Sequence, residues 1–420
     1  MSRRYNGLQA RVMYVNSLAF SIPCACHSLN LVEKDAAECS PISVGFFDFL
    51  ENLYVFFSAS TKRHSLLSEN MKQSESSVLL PQRISDTRWS ARADATKAFI
   101  SCYSVIKNTL DQIANNCDEP PRVQVEAEGL YRKMSKLERA IFGVFWNDLL
   151  ERIDKTNHTV QNPRIDFLTV VAALKSLDTF VDSRRNEFNS YEAKGKLLCG
   201  NEEYQENQGQ RKRRVNVRLQ PIDYGRSDLA EMTPSQRFRV EAILPVIDKF
   251  IASLRQRIAA YEQLSSLFGF LTNLEEMSVE EIEIAAQKII EKYKDDIGIE
   301  LKGELFQFSK FVVLFKDEED KSVSKVLYLY RMLHEKNVID TFPNIEIMLR
   351  IYLSMMVTNC SGERSFSKLK FIKNRLRSTM GNQWLNCLSI LSIEHDVLKA
   401  ADFSTLISSF AARKSRRVYL

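Results

Sequence analysis

Between Asn359 and Arg377 a single carboxylate, Glu363, shares a short stretch with six bases: Arg364, Lys368, Lys370, Lys373, Arg375 and Arg377. A carboxylate can hold a divalent cation while bases hold phosphate, which is the division of labour in a metal-dependent enzyme acting on nucleic acid. Phe366, Leu369, Ile372 and Leu376 recur at three- and four-residue steps, so the spacing predicts an amphipathic helix with the bases on its remaining faces. Asn359 or Ser361 can cap that helix, and Glu363 then falls in the first turn, where the helix dipole favours an acid. A solvated helix with a capping Glu has the same charge pattern, and on charge alone both readings stand.

The wording of the stretch is more specific than its charge. Ser361-Gly-Glu-Arg-Ser-Phe-Ser367, followed by Lys373-Asn-Arg-Leu-Arg377, resembles the C-terminal block of hAT-superfamily transposases and their domesticated relatives. Chains with zinc-finger MYM or TTF-type domains are the nearest in wording. The resemblance implies that Glu363 holds the last of three acidic positions of an RNase H-like core, which binds magnesium in intact members. It also implies that the surrounding helices form a dimerisation region. The apolar positions it offers for that role are Ile345, Met348, Tyr352, Phe366, Leu369, Ile372, Leu376, Leu388 and Leu391.

Near the other end, Cys24-Ala-Cys-His-Ser-Leu-Asn-Leu-Val32 sets Cys24 and His27 at C-x-x-H spacing, with Cys26 and Cys39 nearby. Thiolate and imidazole suit zinc, but no second pair completes a tetrahedron, and a buried thiol beside a hydrogen-bonded imidazole is the competing reading. The block resembles the same family's C-x-x-H-x-L-N-L motif, in which Cys and His are markers that follow the second acidic residue. That acid precedes the words matching Tyr5 to Arg11, and Met1-Ser2 stands after its position. Glu33, Asp35 and Asp86 do not stand at matching positions. A two-metal site holding cations about 4 Å apart needs at least two carboxylates, so neither a metal cofactor nor catalysis is expected here.

Ser85-Asp-Thr-Arg-Trp-Ser90 places Arg88 beside Trp89. Such a pair can bind phosphate and stack on an unpaired base, or the Trp can open a helix as core. The wording resembles the family motif whose Trp stacks on a flipped base. With Arg364, Lys368, Lys370, Lys373, Arg375 and Arg377, these two residues are the nucleic-acid candidates.

The elements that must position these groups read as helices. Met1 to Phe20 is predicted helical, Phe20 to Cys24 a strand, and Phe46, Phe47, Leu50, Leu53, Tyr54 and Phe57 one apolar helix face. Polar Thr61 to Ser77 reads as a loop. Asp86 or Thr87 caps a helix through Ala95, Phe99, Tyr103 and Ile106, and single helices cover Ala127 to Asp154 and Ile165 to Phe188. Gly200 to Ala230 reads as a linker carrying Arg211-Lys-Arg-Arg214, which serves as a nuclear signal, a phosphate contact or a solvated charge cluster. Capping boxes at Thr233–Gln236 and Ser278–Glu281 start two further helices, the first kinked at Pro245. Three amphipathic helices close the chain at Ile345 to Met356, around Glu363, and at Gln383 to Lys399. The tail Arg413-Lys-Ser-Arg-Arg417 is basic.

Composition bounds the function. With 58 bases, 53 acids and a net charge of +5, the basic character is local to the Glu363 helix. Eight scattered cysteines are too sparse for a disulfide framework and fit a reducing compartment. No run of about 18 apolar residues reads as a membrane span, and no secretory signal is visible. The chain is therefore expected inside the cell, in the nucleus, with no membrane partner.

The expected fold is predominantly α with an α+β family core: a truncated RNase H-like core with a large all-helical insertion. Residues 1–35 are read as the core remnant, 36–340 as the insertion, 341–400 as the dimerisation region and 401–420 as a basic tail. The resemblance implies a transposon-derived protein that self-associates or pairs with family relatives, losing this when residues after about 340 are removed. The alternative is a nucleic-acid-binding remnant. An active transposase needs further acids.

Overall fold

The computed structural model describes residues 7–74, 80–84, 90–162, 164–204, 232–315, 323–355, 360–374 and 377–412, and among these it contains helices and connections but no strand. The N-terminal helix is shorter than its sequence span: α1 covers Leu8–Val15, and its Tyr14 and Val15 are exposed. Phe20 to Cys24, expected as a strand, forms none and has no strand neighbour among the described residues. A strand needs a paired backbone, and here a side chain takes that place, the Tyr261 hydroxyl donating to the Pro23 carbonyl at 2.7 Å. No RNase H-like sheet stands among the described residues.

α2 (Ala25–Ala37) follows and packs on α12 (Leu244–Phe268), with Ser28 Oγ 3.1 Å from the Tyr261 hydroxyl and Ser253 Oγ donating to Asp35 at 2.5 Å. α3 (Pro41–Ser58) opens on Ser40, whose hydroxyl accepts the Ser43 N–H at 3.2 Å ahead of a helix-compatible Pro41. Its Phe46 and Phe47 are buried against Phe142 and Trp146, with ring centroids 5.4 and 5.0 Å apart in edge-to-face geometry. This aromatic cluster is the core of the larger of two compact units, Met1–Val357.

The polar segment expected as a loop is instead α4 (Thr61–Gln73). Ser60 caps it, Leu67 and Met71 are fully buried, and Asn70 Nδ2 donates to Thr109 Oγ1 at 2.9 Å. Tertiary packing, which polar composition does not reveal, decides that helix. α5 (Ala91–Ser101) and α6 (Tyr103–Ala114) are separated at Cys102, and Ser90 stands at the α5 start without a side-chain cap bond. The expected caps Asp86 and Thr87 lie outside the described residues.

The span read as one helix from Ala127 to Asp154 is two, α7 (Pro121–Met134) and α8 (Leu137–Val160). Leu130, Met134, Leu137 and Ile141 keep helical steps across the break, so periodicity alone conceals it. α9 (Phe167–Ser183) and α10 (Phe188–Cys199) follow, and Gly200 ends α10 at φ 68°, a conformation open to glycine. Both predicted capping boxes form. Thr233 and Gln236 exchange bonds of 3.1 and 3.3 Å to open α11 (Pro234–Phe238), and Ser278 and Glu281 exchange bonds of 2.9 and 3.2 Å to open α13 (Val279–Lys292). Pro245, where a kink is expected, follows a π-helical turn at Arg239–Ile243 immediately before α12, and the widened repeat accommodates a proline that has no N–H to give.

α14 (Leu301–Leu314), α15 (Lys325–Glu335) and α16 (Pro343–Leu353) complete this unit. Glu304 of α14 accepts the Asn344 and Ile345 N–H groups at 2.9 and 3.2 Å and thereby caps α16 from a neighbouring helix. The second compact unit, Thr358–Leu420, contains α17 (Cys360–Ile372), α18 (Asn382–Ile393), α19 (His395–Ala400) and α20 (Ser404–Ala412). The structure thus divides the chain after Val357, with α16 in the first compact unit. The tail assigned to 401–420 begins with a helix, α20. At its start Asp402 accepts the Ser404 hydroxyl and N–H at 2.5 and 2.9 Å, and these two bonds hold its carboxyl below the usual range.

Candidate self-association surface and basic helix

The sequence nominated nine apolar positions for self-association, and the structure sorts them by environment. Ile345 and Met348 are fully buried and Tyr352 is buried beside Phe167 and Phe268, with ring centroids 5.6 Å apart in each case. These three are filled by the first unit's own core and are not a free surface. An amphipathic stripe is the same in sequence whether its partner is another part of the chain or a second molecule. Leu369, Ile372 and Leu388 are half-buried, Leu391 is exposed and Phe366 is 73% exposed. Leu376 lies outside the described residues.

The second unit has little interior. No described apolar side chain beyond Tyr352 is buried, whereas Phe371, Trp384, Val397, Leu406 and Phe410 are exposed. α17 and α18 pack together, with Leu385, Leu388, Ser389 and Ser392 forming the half-buried side of α18. Lys368 pins the pair. Its Nζ donates to the Ser392 carbonyl at 2.8 Å and to the Ile393 carbonyl at 3.2 Å, and stands 3.4 Å from His395 Nδ1. A cation at the end of a helix meets carbonyls left without intrahelical partners. Lys368, nominated for phosphate, is thus engaged within its own unit.

The other nominated bases separate cleanly. Lys370, Lys373 and Arg377 are exposed, beside exposed Phe366 and Phe371. Arg88, Trp89 and Arg375 lie outside the described residues, as do Arg211 to Arg214, and the side chains of Glu363 and Arg364 lie outside those described within α17. At the other end Cys26 is fully buried, Cys24 is half-buried and His27 is exposed. Among the described residues no three His, Cys, Asp or Glu side chains come together to hold a metal.

Residues 309–397 match the hAT family C-terminal dimerisation region. The match starts within α14 and ends in α19, so it takes in the buried α15 and α16 as well as the exposed helices of the second unit. No solved structure matches the chain.

Sequence reasoning missed Trp384, Cys387 and Ile390, which lie exposed on α18, and Leu406, Ile407 and Phe410 on α20. A signal for the first three was present: Asn382-Gln-Trp-Leu-Asn-Cys-Leu-Ser-Ile-Leu-Ser-Ile393 contains no charged residue. A helix exposed to water on one side ordinarily carries charge there.

Proposed function

We propose that this is a transposon-derived protein that acts by self-association through its C-terminal region, without cutting nucleic acid. What carries the reading is the second unit, whose helices expose large apolar side chains and bury none of those described, within a segment that matches a dimerisation region. Apolar patches of that kind mark contact sites, and a stable interface takes about 800 Å² from each partner.

Light scattering across a dilution series tests it. The full chain is expected as a dimer, and a chain ending at Val357 as a folded monomer. Ending near Asp340 would instead strip α16 from the first unit, leaving the pockets of Ile345, Met348 and Leu349 empty. A full chain that stays monomeric when concentrated, or a truncated one that still dimerises, overturns the proposal. Magnesium-dependent DNA cleavage that disappears in Glu363→Gln would overturn its non-enzymatic half.

The exposed side of α17 and the bases that follow it favour a second reading, in which the chain also holds nucleic acid. Phe366 and Phe371 offer rings for stacking between Lys370, Lys373 and Arg377, which offer charge to phosphate. DNA affinity is then expected to fall with salt at a logarithmic slope of about −3, one unit for each of these bases. Gel-shift titrations check it, and binding that is indifferent to salt removes the reading. A nuclear location accords with both.

A further inference from the structure

We infer that α18, rather than the basic α17, forms the two-fold seam between two copies of this chain, with Cys387 at its centre. The inference rests on the self-association proposed above and names its geometry. On α18 the exposed residues Trp384, Cys387 and Leu391 follow one another at three- and four-residue steps, so they form a single stripe beside the half-buried Leu385, Leu388 and Ser392. The stripe lies inside the segment that matches a dimerisation region, which makes a second copy its occupant.

Charge separates the two helices. A two-fold interface sets each residue near the axis against its own copy, so a base there meets an identical base. α17 carries exposed Lys370, exposed Lys373 follows its last residue, and two such faces would repel. α18 has no charged residue at all and meets itself without that cost. A two-fold axis perpendicular to α18 makes the paired helices antiparallel. Centred between Cys387 and Leu388, the pairing lays Trp384 of one copy on Leu391 of the other and brings the two Cys387 thiols near each other. An indole packed on an aliphatic side chain is a strong anchor for such a seam.

Two measurements on the full chain test this. Leu391→Glu places like charges on the seam and is expected to weaken the dimer about a hundredfold or more in light scattering, with unchanged helical circular dichroism. Phe371→Glu on α17 is expected to leave the dimer intact. A short bismaleimide is expected to join two chains through Cys387, giving a covalent dimer in denaturing gels that Cys387→Ser abolishes and Cys117→Ser does not. If the wild-type chain dimerises but Leu391→Glu leaves it unchanged, or Phe371→Glu disrupts it instead, α18 is not the seam while self-association stands. A wild-type chain that is monomeric overturns both.

Discussion

Gly195→Ala is expected to lower the urea midpoint sharply, while Gly129→Ala raises it. Both glycines lie inside helices, α10 and α7, where alanine ordinarily gains about 1 kcal/mol from backbone entropy and propensity. At Gly129 a methyl group would meet nothing within 4 Å, so that gain is realised. At Gly195 it would stand 2.6 Å from Ile141 Cγ1 and 3.0 Å from the Ile141 Cα and N. A side-chain tip can swing aside, but a backbone atom moves only if α8 and α10 part. α8 carries Phe142, Phe145 and Trp146, all essentially without exposure, so parting the helices loosens the aromatic core. Overpacking of this kind costs about 1–3 kcal/mol and more where backbone is involved, which outweighs the propensity gain. Equilibrium unfolding of the three chains checks it, and equal midpoints for Gly195→Ala and wild type would show that the helices give way easily.

How far the fold was legible follows from where the information sits. The capping boxes at Thr233 and Ser278 form as predicted because each is complete within four residues. α4 was not legible because its order comes from Asn70 reaching Thr109 and from Arg63 stacking over Phe56, 4.3 Å from the ring centroid. The break between α7 and α8 was hidden because apolar steps run unbroken through it. The strand expected at Phe20 has no sequence-local reason to fail. It has no strand neighbour among the described residues, and Tyr261, more than two hundred residues away, donates to its Pro23 carbonyl instead.

The same logic applies to the surface. Wording identified the C-terminal region, and the match to residues 309–397 agrees with it. It could not say which apolar stripes close on the chain itself. Ile345 and Leu391 look alike in sequence, yet one is fully buried and the other 46% exposed. Nor did a base count show that Lys368 is spent on the end of α18. Burial turns a list of amphipathic helices into a surface, and it leaves α18 uncharged and uncovered.

Stability is expected to fall as pH rises from about 5 to 7, through one buried carboxyl. Glu33 on α2 is 4% exposed and faces Arg92 of α5 at 3.7 Å, with the guanidinium 5.5 Å from the Phe47 ring centroid. Two effects oppose each other there. Burial penalises the carboxylate, and the Arg92 charge and hydrogen bond favour it. Burial wins, with a smaller push from Asp154, and raises the pKa from 4.5 to about 7. Between those values the native chain holds a proton that the unfolded chain has released, so stability is lost with rising pH, the reverse of the usual carboxylate. The slope is about 1.4 kcal/mol per pH unit, accumulating to about 3 kcal/mol by pH 7. Glu33→Gln removes the titration and keeps an oxygen toward Arg92. Its urea midpoint is therefore expected to match wild type near pH 5 and exceed it at pH 8. Other carboxyls titrate in both chains and cancel in the difference. If the difference has the opposite sign, with wild type gaining on Glu33→Gln as pH rises, then attraction to Arg92 outweighs burial and the pair is a stabilising ion pair. The sign of one difference decides between them.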